Sequence, residues 1–237
     1  MATLQLAVGR GRYILKPQSR AFPALPENEH VTMRIASLAG IDVPPCGLFR
    51  LPDGTWAYIV VRFDRPAEGG KLRQEDFCQL AEKSPKDKYE GSAELCARLV
   101  RRYATEPLIE LVKLFRLQLF SWWTGNGDMH LKNFSIIAGP DGVHRLSPAY
   151  DQVCTRLVIP DDDLALPIGD KKKGITRRTW LEFAGYCGIP EPVAERVLRG
   201  IADATGGALA LVSRSFLGEE MKRAYKAILE ENSRILL

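Results

Sequence analysis

The sequence predicts an α+β protein of two unequal lobes, a small mixed one over residues 1–66 and a larger helical one over residues 67–237. Three observations predict it. Short β-type runs and a tight hairpin turn crowd into the first third, where only one helical pattern occurs. A Pro- and Gly-containing connector follows at 64–71. Beyond it helical periodicity dominates, around one segment that is apolar almost all round.

The run 12–17 is β-type and is stopped by Pro17, which cannot donate to a ladder. A helix is expected over about 28–38, with Val31, Arg34, Ile35 and Leu38 at helical spacing and Gly40 placed to end it. Residues 47–51 and 56–63 read as a hairpin across Pro52, Asp53 and Gly54, and 57–61 is apolar enough to be a central strand. Further helices are expected over 74–81, 92–103, 108–123, 178–187, 192–205 and roughly 209–235. Residues 134–138 and 143–146 form a second hairpin, which would return Asp151 towards Asp128.

Composition excludes several classes. Apolar residues make up 46% and charged residues 26% of the 237, as in an ordinary soluble protein. The formal charge of +4 is dispersed and does not by itself argue for nucleic acid. The five cysteines are isolated from one another and form no CxxC, which argues against a disulfide framework and a zinc site and for a reducing, cytoplasmic setting. No signal peptide is evident at the start. Residues 108–123 are interrupted by Glu110, Lys113, Arg116 and Gln118, so they predict a buried helix and no membrane span. The runs at 161–163 (three Asp) and 171–173 (three Lys) read as solvated turns.

The chemistry concentrates in Gly125, Asn126, Gly127, Asp128, Met129, His130, Leu131, Lys132 and Asn133, with Asp151 downstream. Asp128 and Asn133 stand five positions apart, the spacing of catalytic base and metal-binding amide in a kinase catalytic loop. Phosphoryl transfer needs a carboxylate for the attacking hydroxyl's proton and oxygen ligands that hold magnesium against phosphates. Each residue also has a plainer role open to it. Asn-Gly-Asp is good turn sequence, so Asp128 could be a solvated turn aspartate. Asn133 could cap a turn, and His130 could fix the loop by hydrogen bonds. Lys132 suits a phosphate oxygen or solvent, and Asp151 a metal or an N-cap. Lys16 suits nucleotide phosphates or an exposed strand face. Glu27 and Glu29 could pair with it or favour the helix N-terminus through the dipole.

Taken together these pieces resemble the HipA-like serine/threonine kinases of bacterial toxin–antitoxin systems, especially the short HipT-type toxins. The matching residues are Tyr13-Ile14-Leu15-Lys16-Pro17, Glu27-Asn28-Glu29-His30, Ala39-Gly40-Ile41-Asp42-Val43-Pro44, Val61-Arg62-Phe63-Asp64-Arg65, Gln74-Glu75-Asp76-Phe77-Cys78-Gln79, the 125–133 loop and Pro148-Ala149-Tyr150-Asp151. The resemblance implies a two-lobed, protein-kinase-like (HipA-like) fold that binds ATP and Mg2+. It makes Asp128 the proton acceptor and Asn133 and Asp151 the magnesium ligands. Lys16 becomes the nucleotide-phosphate lysine, with Val61, Arg62 and Phe63 against adenine and His130, Leu131, Lys132 and Tyr150 lining the same site. It further implies a protein substrate such as an aminoacyl-tRNA synthetase, and a helix-turn-helix antitoxin that carries DNA binding for the complex. The usual Asp-Phe-Gly is absent at Asp151. The family's Ser- and Gly-containing phosphate loop precedes the strand with which this chain begins at Thr3, Leu4, Gln5 and Leu6. Weak transfer is therefore expected unless upstream residues or a separate N-lobe subunit supply that loop. Two other readings stand beside this one: a non-catalytic kinase-like binding module, and a small-molecule or lipid kinase, because Gly-Asp-x-His-x-x-Asn also resembles phosphoinositide kinases.

Overall fold

A computed structural model describes residues 11–67 and 69–237. The strand expected around Leu4 lies outside the described residues. Three strands, β1 (Tyr13–Pro17), β2 (Cys46–Arg50) and β3 (Trp56–Val61), form an antiparallel sheet in the order β1-β3-β2. The apolar run is central, as its composition demands. Its register sets Lys16 opposite Tyr58.

Helix α1 (Leu25–Leu38) backs this sheet and also reaches the helical part. One face packs Met33 against Tyr58 and Val60. Another sends Val31, Ile35 and Ala36 into the main core. The helix ends where Gly40 adopts φ +72°. There the N–H groups of Gly40 and Ile41 bond back to the carbonyls of Ser37 and Ala36, the paired bonds of a Schellman end.

The second sheet runs β4 (Gln74–Asp76), β5 (Ser135–Ala138), β6 (His144–Leu146), all antiparallel. Here the expected helix over 74–81 is corrected. Gln74, Glu75 and Asp76 pair with Ile137, Ile136 and Ser135, and only α2 (Phe77–Leu80) is helical. Asp76 is the reason. Its carboxylate accepts from the N–H of Gln79, while the Gln79 side chain accepts from the N–H of Asp76, a capping box that starts the helix there.

The helical part comprises α3 (Ala93–Tyr103), α4 (Pro107–Trp123), α5 (Arg177–Tyr186), α6 (Glu191–Asp203), α7 (Thr205–Arg214) and α8 (Glu219–Leu236). The single helix expected over 209–235 is two helices. Between them Leu217 turns inward to 3% exposure, and Phe216 packs on Trp56 of the first sheet in a tilted arrangement with ring centroids 4.7 Å apart. Helix α4 is central, with Leu114, Phe115, Leu119, Phe120 and Trp123 fully buried. The Asn232 amide of α8 donates to the carbonyls of Trp122 and Trp123, at 3.0 Å each, where α4 ends. These bonds satisfy carbonyls that a helix terminus leaves without an internal partner. No described helix is long and apolar enough to cross a membrane.

Because Leu114 is fully buried at the middle of α4, Leu114→Ala is expected to cost roughly 2–5 kcal/mol. Urea unfolding followed by tryptophan fluorescence measures it, and a cost below about 1 kcal/mol would mean that this core is loosely packed.

Candidate active site

The catalytic-looking loop leaves the end of α4 through Gly125, at φ +69°. Asn126 is buried beneath it, taking its N–H to the Ser121 carbonyl and offering its side-chain oxygen to the N–H of Asp128 at 3.0 Å. The N–H of Gly127 donates to the Thr155 hydroxyl at 2.7 Å. A Cβ on Gly127 would collide with the Asp162 carboxylate and the Asp163 carbonyl, so this close approach requires glycine. Of the three Asp residues, Asp162 and Asp163 are therefore packed onto the loop, while Asp161 is exposed.

Asp128 keeps a half-exposed carboxylate, which receives the Tyr89 hydroxyl at 2.5 Å. Burial, with Asp128 adding to it, pushes the Tyr89 phenol up to about 12, so it remains a donor at neutral pH. His130 Nε2 lies 3.9 Å from Asp128. Burial lowers the imidazole's pKa despite that carboxylate, which favours a neutral ring edge-on to Tyr89. The Asn133 side-chain N–H donates to the Asp128 carbonyl at 2.8 Å. Its amide oxygen accepts no hydrogen bond among the described residues.

A second group gathers in a cleft of about 290 Å³ beside the first sheet. Lys16, Val61, Arg62, Phe63, Tyr150 and Asp151 all line it. Lys16 bonds Glu29 at 2.7 Å and pairs with Asp151, which comes from the segment after β6. Burial opposes the ammonium, but Glu29 and Asp151 outweigh that and raise its pKa. Glu29 is buried, and desolvation raises its carboxyl to about 7, with Asp151 adding to the rise and Lys16 opposing it. The Tyr150 hydroxyl donates to the Lys132 carbonyl at 2.8 Å and meets the Ser135 hydroxyl at 2.6 Å, while its ring lies 5.7 Å from that of Phe63. Asp151 itself has φ +53°, a backbone state uncommon for a residue with a side chain.

Five expected site residues do not line this cleft: Asp128 itself, and four that stand as follows. Leu131 is fully buried in the core, Lys132 pairs with Asp76 at 2.8 Å, and His130 and Asn133 belong to the loop beneath Asp128. None of the four lines the cleft. Sequence reasoning missed Tyr89, which sits in a charged stretch without periodicity. It also missed Tyr58 and Gln74 on the cleft wall, whose strand positions carry no chemical signature.

No group of three or more His, Cys, Asp or Glu able to hold a metal occurs among the described residues. Asn133 and Asp151 offer instead one amide oxygen and one carboxylate. That donor set fits magnesium, which accepts one or two protein oxygens together with phosphate oxygens and waters.

The HipA-like C-terminal domain matches residues 2–209, and the chain belongs to that family. It is 34% identical over 212 residues to a Sinorhizobium fredii protein named "Putative kinase Y4mE", covering 84% of this chain and 50% of that protein. A Haemophilus influenzae protein named "Putative kinase" is 32% identical over 181 residues, covering 70% of this chain and 52% of its own length. The chain thus spans about half the length of these relatives. Among solved structures, HipA of Shewanella oneidensis MR-1, in complex with HipB and operator DNA, superposes with a TM-score of 0.79 at 25% identity, over 95% of this chain and 58% of HipA. The Helicobacter pylori proinflammatory kinase CtkA superposes at 0.67 with 16% identity, over 94% of this chain and 86% of its own, and shares the fold. The architecture is the two-lobed, kinase-like one that the sequence predicts.

Glu29 makes stability depend on pH. Its carboxyl titrates near 7 when folded against an ordinary 4.5, so the folded state holds the proton more tightly. The stability this contributes is fully present below about 4.5 and lost as pH rises through about 7. Glu29→Gln removes that dependence. The stability of the unaltered chain relative to the variant is expected to fall by on the order of 1–3 kcal/mol between pH 4.5 and 8. Urea unfolding of both chains across that range measures it, and a constant difference would mean that Glu29 titrates as an exposed carboxylate.

Proposed function

We propose that this chain is the catalytic portion of an ATP-dependent kinase that phosphorylates serine or threonine on a protein. The observation that carries the reading is the meeting of Lys16 and Asp151, 135 residues apart, across one cleft. Next to it stands a loop whose Asp128 carboxylate is half exposed and whose Asn133 amide is tied to the Asp128 backbone. Tyr150 of the cleft lining donates to the Lys132 carbonyl of that loop at 2.8 Å, so loop and cleft adjoin.

In this reading residues 1–66 carry the nucleotide lysine and the segment against adenine, Val61 to Phe63, and residues 67–237 carry the loop and metal side chains. Lys16 holds the nucleotide phosphates, oriented by Glu29. Asn133 and Asp151 hold Mg2+, and Tyr150 packs with Phe63 at the cleft wall. His130, Leu131 and Lys132 fix the loop by hydrogen bonding, burial and the Asp76 pair. Bound Mg2+·ATP supplies the electrophilic phosphoryl group and neutralises its charge. Asp128 takes the proton of the acceptor hydroxyl through the carboxylate oxygen that Tyr89 leaves open. The family membership supports a toxin of the HipA type, with an aminoacyl-tRNA synthetase as the substrate class. It likewise supports a cytoplasmic setting and a helix-turn-helix antitoxin through which alone DNA is reached. A separate N-lobe subunit is a further partner this reading admits.

Asp128→Asn keeps shape and removes the proton acceptor. Phosphoryl transfer is expected to fall about 100-fold or more with little change in nucleotide affinity. Asp151→Asn is expected to weaken both magnesium-dependent ATP binding and transfer. Radiolabelled-ATP transfer to candidate synthetases, with calorimetric ATP titration in and out of magnesium, separates the two. Full activity in Asp128→Asn would return that residue to loop structure. Magnesium-dependent binding without transfer in the unaltered chain would favour a binding module.

A further inference from the structure

Asp151 is constrained from a second side, by groups outside the cleft. The Asn28 side chain, at 0% exposure, donates through Nδ2 to the Cys154 carbonyl and accepts through Oδ1 from the Cys154 N–H, each at 2.9 Å. Both backbone groups of a residue three beyond Asp151 are thus held by one amide. The arrangement fixes the amide's orientation, because exchanging oxygen and nitrogen would set donor against donor and acceptor against acceptor. Oδ1 also receives the Thr32 hydroxyl at 3.3 Å, one helical turn along α1. Having spent its only hydrogen there, Thr32 accepts from the Tyr225 hydroxyl of α8 at 2.8 Å. Asn28, Thr32, Cys154 and Tyr225 are all fully buried, so no water competes for these bonds and each is costly to leave unmade.

The adjacent residue, Glu29, reaches Asp151 through Lys16. Two consecutive residues of α1 therefore brace the same turn, one by charge within the cleft and one by backbone hydrogen bonds behind it. The chain Tyr225–Thr32–Asn28–Cys154 starts on α8, beyond the 2–209 that the family match covers. We propose that Asn28 is a positioning residue for Asp151, and that helix α8 sets it through Tyr225 and Thr32. The proposal rests on the reading of Asp151 as a metal ligand. It assigns to the C-terminal helix the task of holding the turn that bears this carboxylate at positive φ.

The test uses the full 237-residue chain, with Asn28→Ala, the isosteric Asn28→Asp, which sets a carboxylate oxygen against the Cys154 carbonyl, and the mild Tyr225→Phe. Hydrogen exchange without metal reads the clamp. The Cys154 amide is expected to exchange about 10-fold faster or more in both Asn28 variants while α4 amides keep their protection. Calorimetric ATP titrations at stepped magnesium read the consequence. Half-saturating magnesium is expected to rise about 10–100-fold, with excess magnesium restoring ATP affinity. Tyr225→Phe shifts both quantities the same way by less. Should the Asn28 variants lose α4 protection as well, Tyr225→Phe decides, and no shift in it overturns the proposal. Faster exchange at Cys154 with unchanged magnesium dependence makes Asn28 merely structural and overturns it too. If the unaltered chain itself binds ATP independently of magnesium, the metal reading of Asp151 falls and the proposal falls with it.

Discussion

A buried carboxylate must either be protonated or be given a cation, and Glu29 on α1 is given Lys16. Much of the site's geometry follows from that one requirement. Lys16 lies on β1, so the pair fixes how the first sheet sits on α1. The same ammonium is shared with Asp151, so the pair also draws the segment after β6 against the sheet. Removing Lys16 would leave the buried Glu29 carboxylate without a cation, whereas removing Glu29 would leave the partly exposed Lys16 still paired with Asp151. The ion pair therefore acts less as a source of stability than as a statement of register between two parts of the fold.

The loop bearing Asp128 is held by a different kind of constraint. Its bonds all engage the loop backbone: the Asn126 N–H to the Ser121 carbonyl, the Gly127 N–H to the Thr155 hydroxyl, and the Asn133 side chain to the Asp128 carbonyl. They keep the main chain fixed while the Asp128 carboxylate stays half exposed, with Tyr89 alone among the described residues donating to it at hydrogen-bond distance. A rigid backbone presenting an accessible acid is what a proton acceptor requires, since its geometry must be set before the acceptor arrives. The helix behind the loop is fixed in turn, because Asn232 and Ser233 of α8 bond the Trp122 and Trp123 end of α4.

Much of this was legible in the residues. The central strand, the α1 stop at Gly40, the apolar helix α4 and the order Asp128, Asn133, Asp151 all rest on local signals: hydrophobic period, a glycine end, a dense polar motif. Two elements were misread. Residues 74–81 carry a helical pattern, yet the Asp76 cap and the edge of β5 claim the first three for a strand. Residues 209–235 carry one pattern, yet the pull of Leu217 into the core and of Phe216 onto Trp56 breaks it. In the first a local cap acted together with a tertiary strand partner, and in the second tertiary partners alone overrode local preference. Tyr89 and the Asn28 clamp were illegible because their meaning lies wholly in partners 39 and 126 residues away.

Charge pairing recurs along the cleft. Lys16 is shared by two carboxyl groups, Glu29 and Asp151, at one end of the cleft. Elsewhere on the cleft lining Arg62 bonds the Asp64 carboxylate, which Arg65, itself outside the lining, also holds. Because Lys16 pairs with both Glu29 and Asp151, loss of the Asp151 contact would still leave the buried Glu29 its cation.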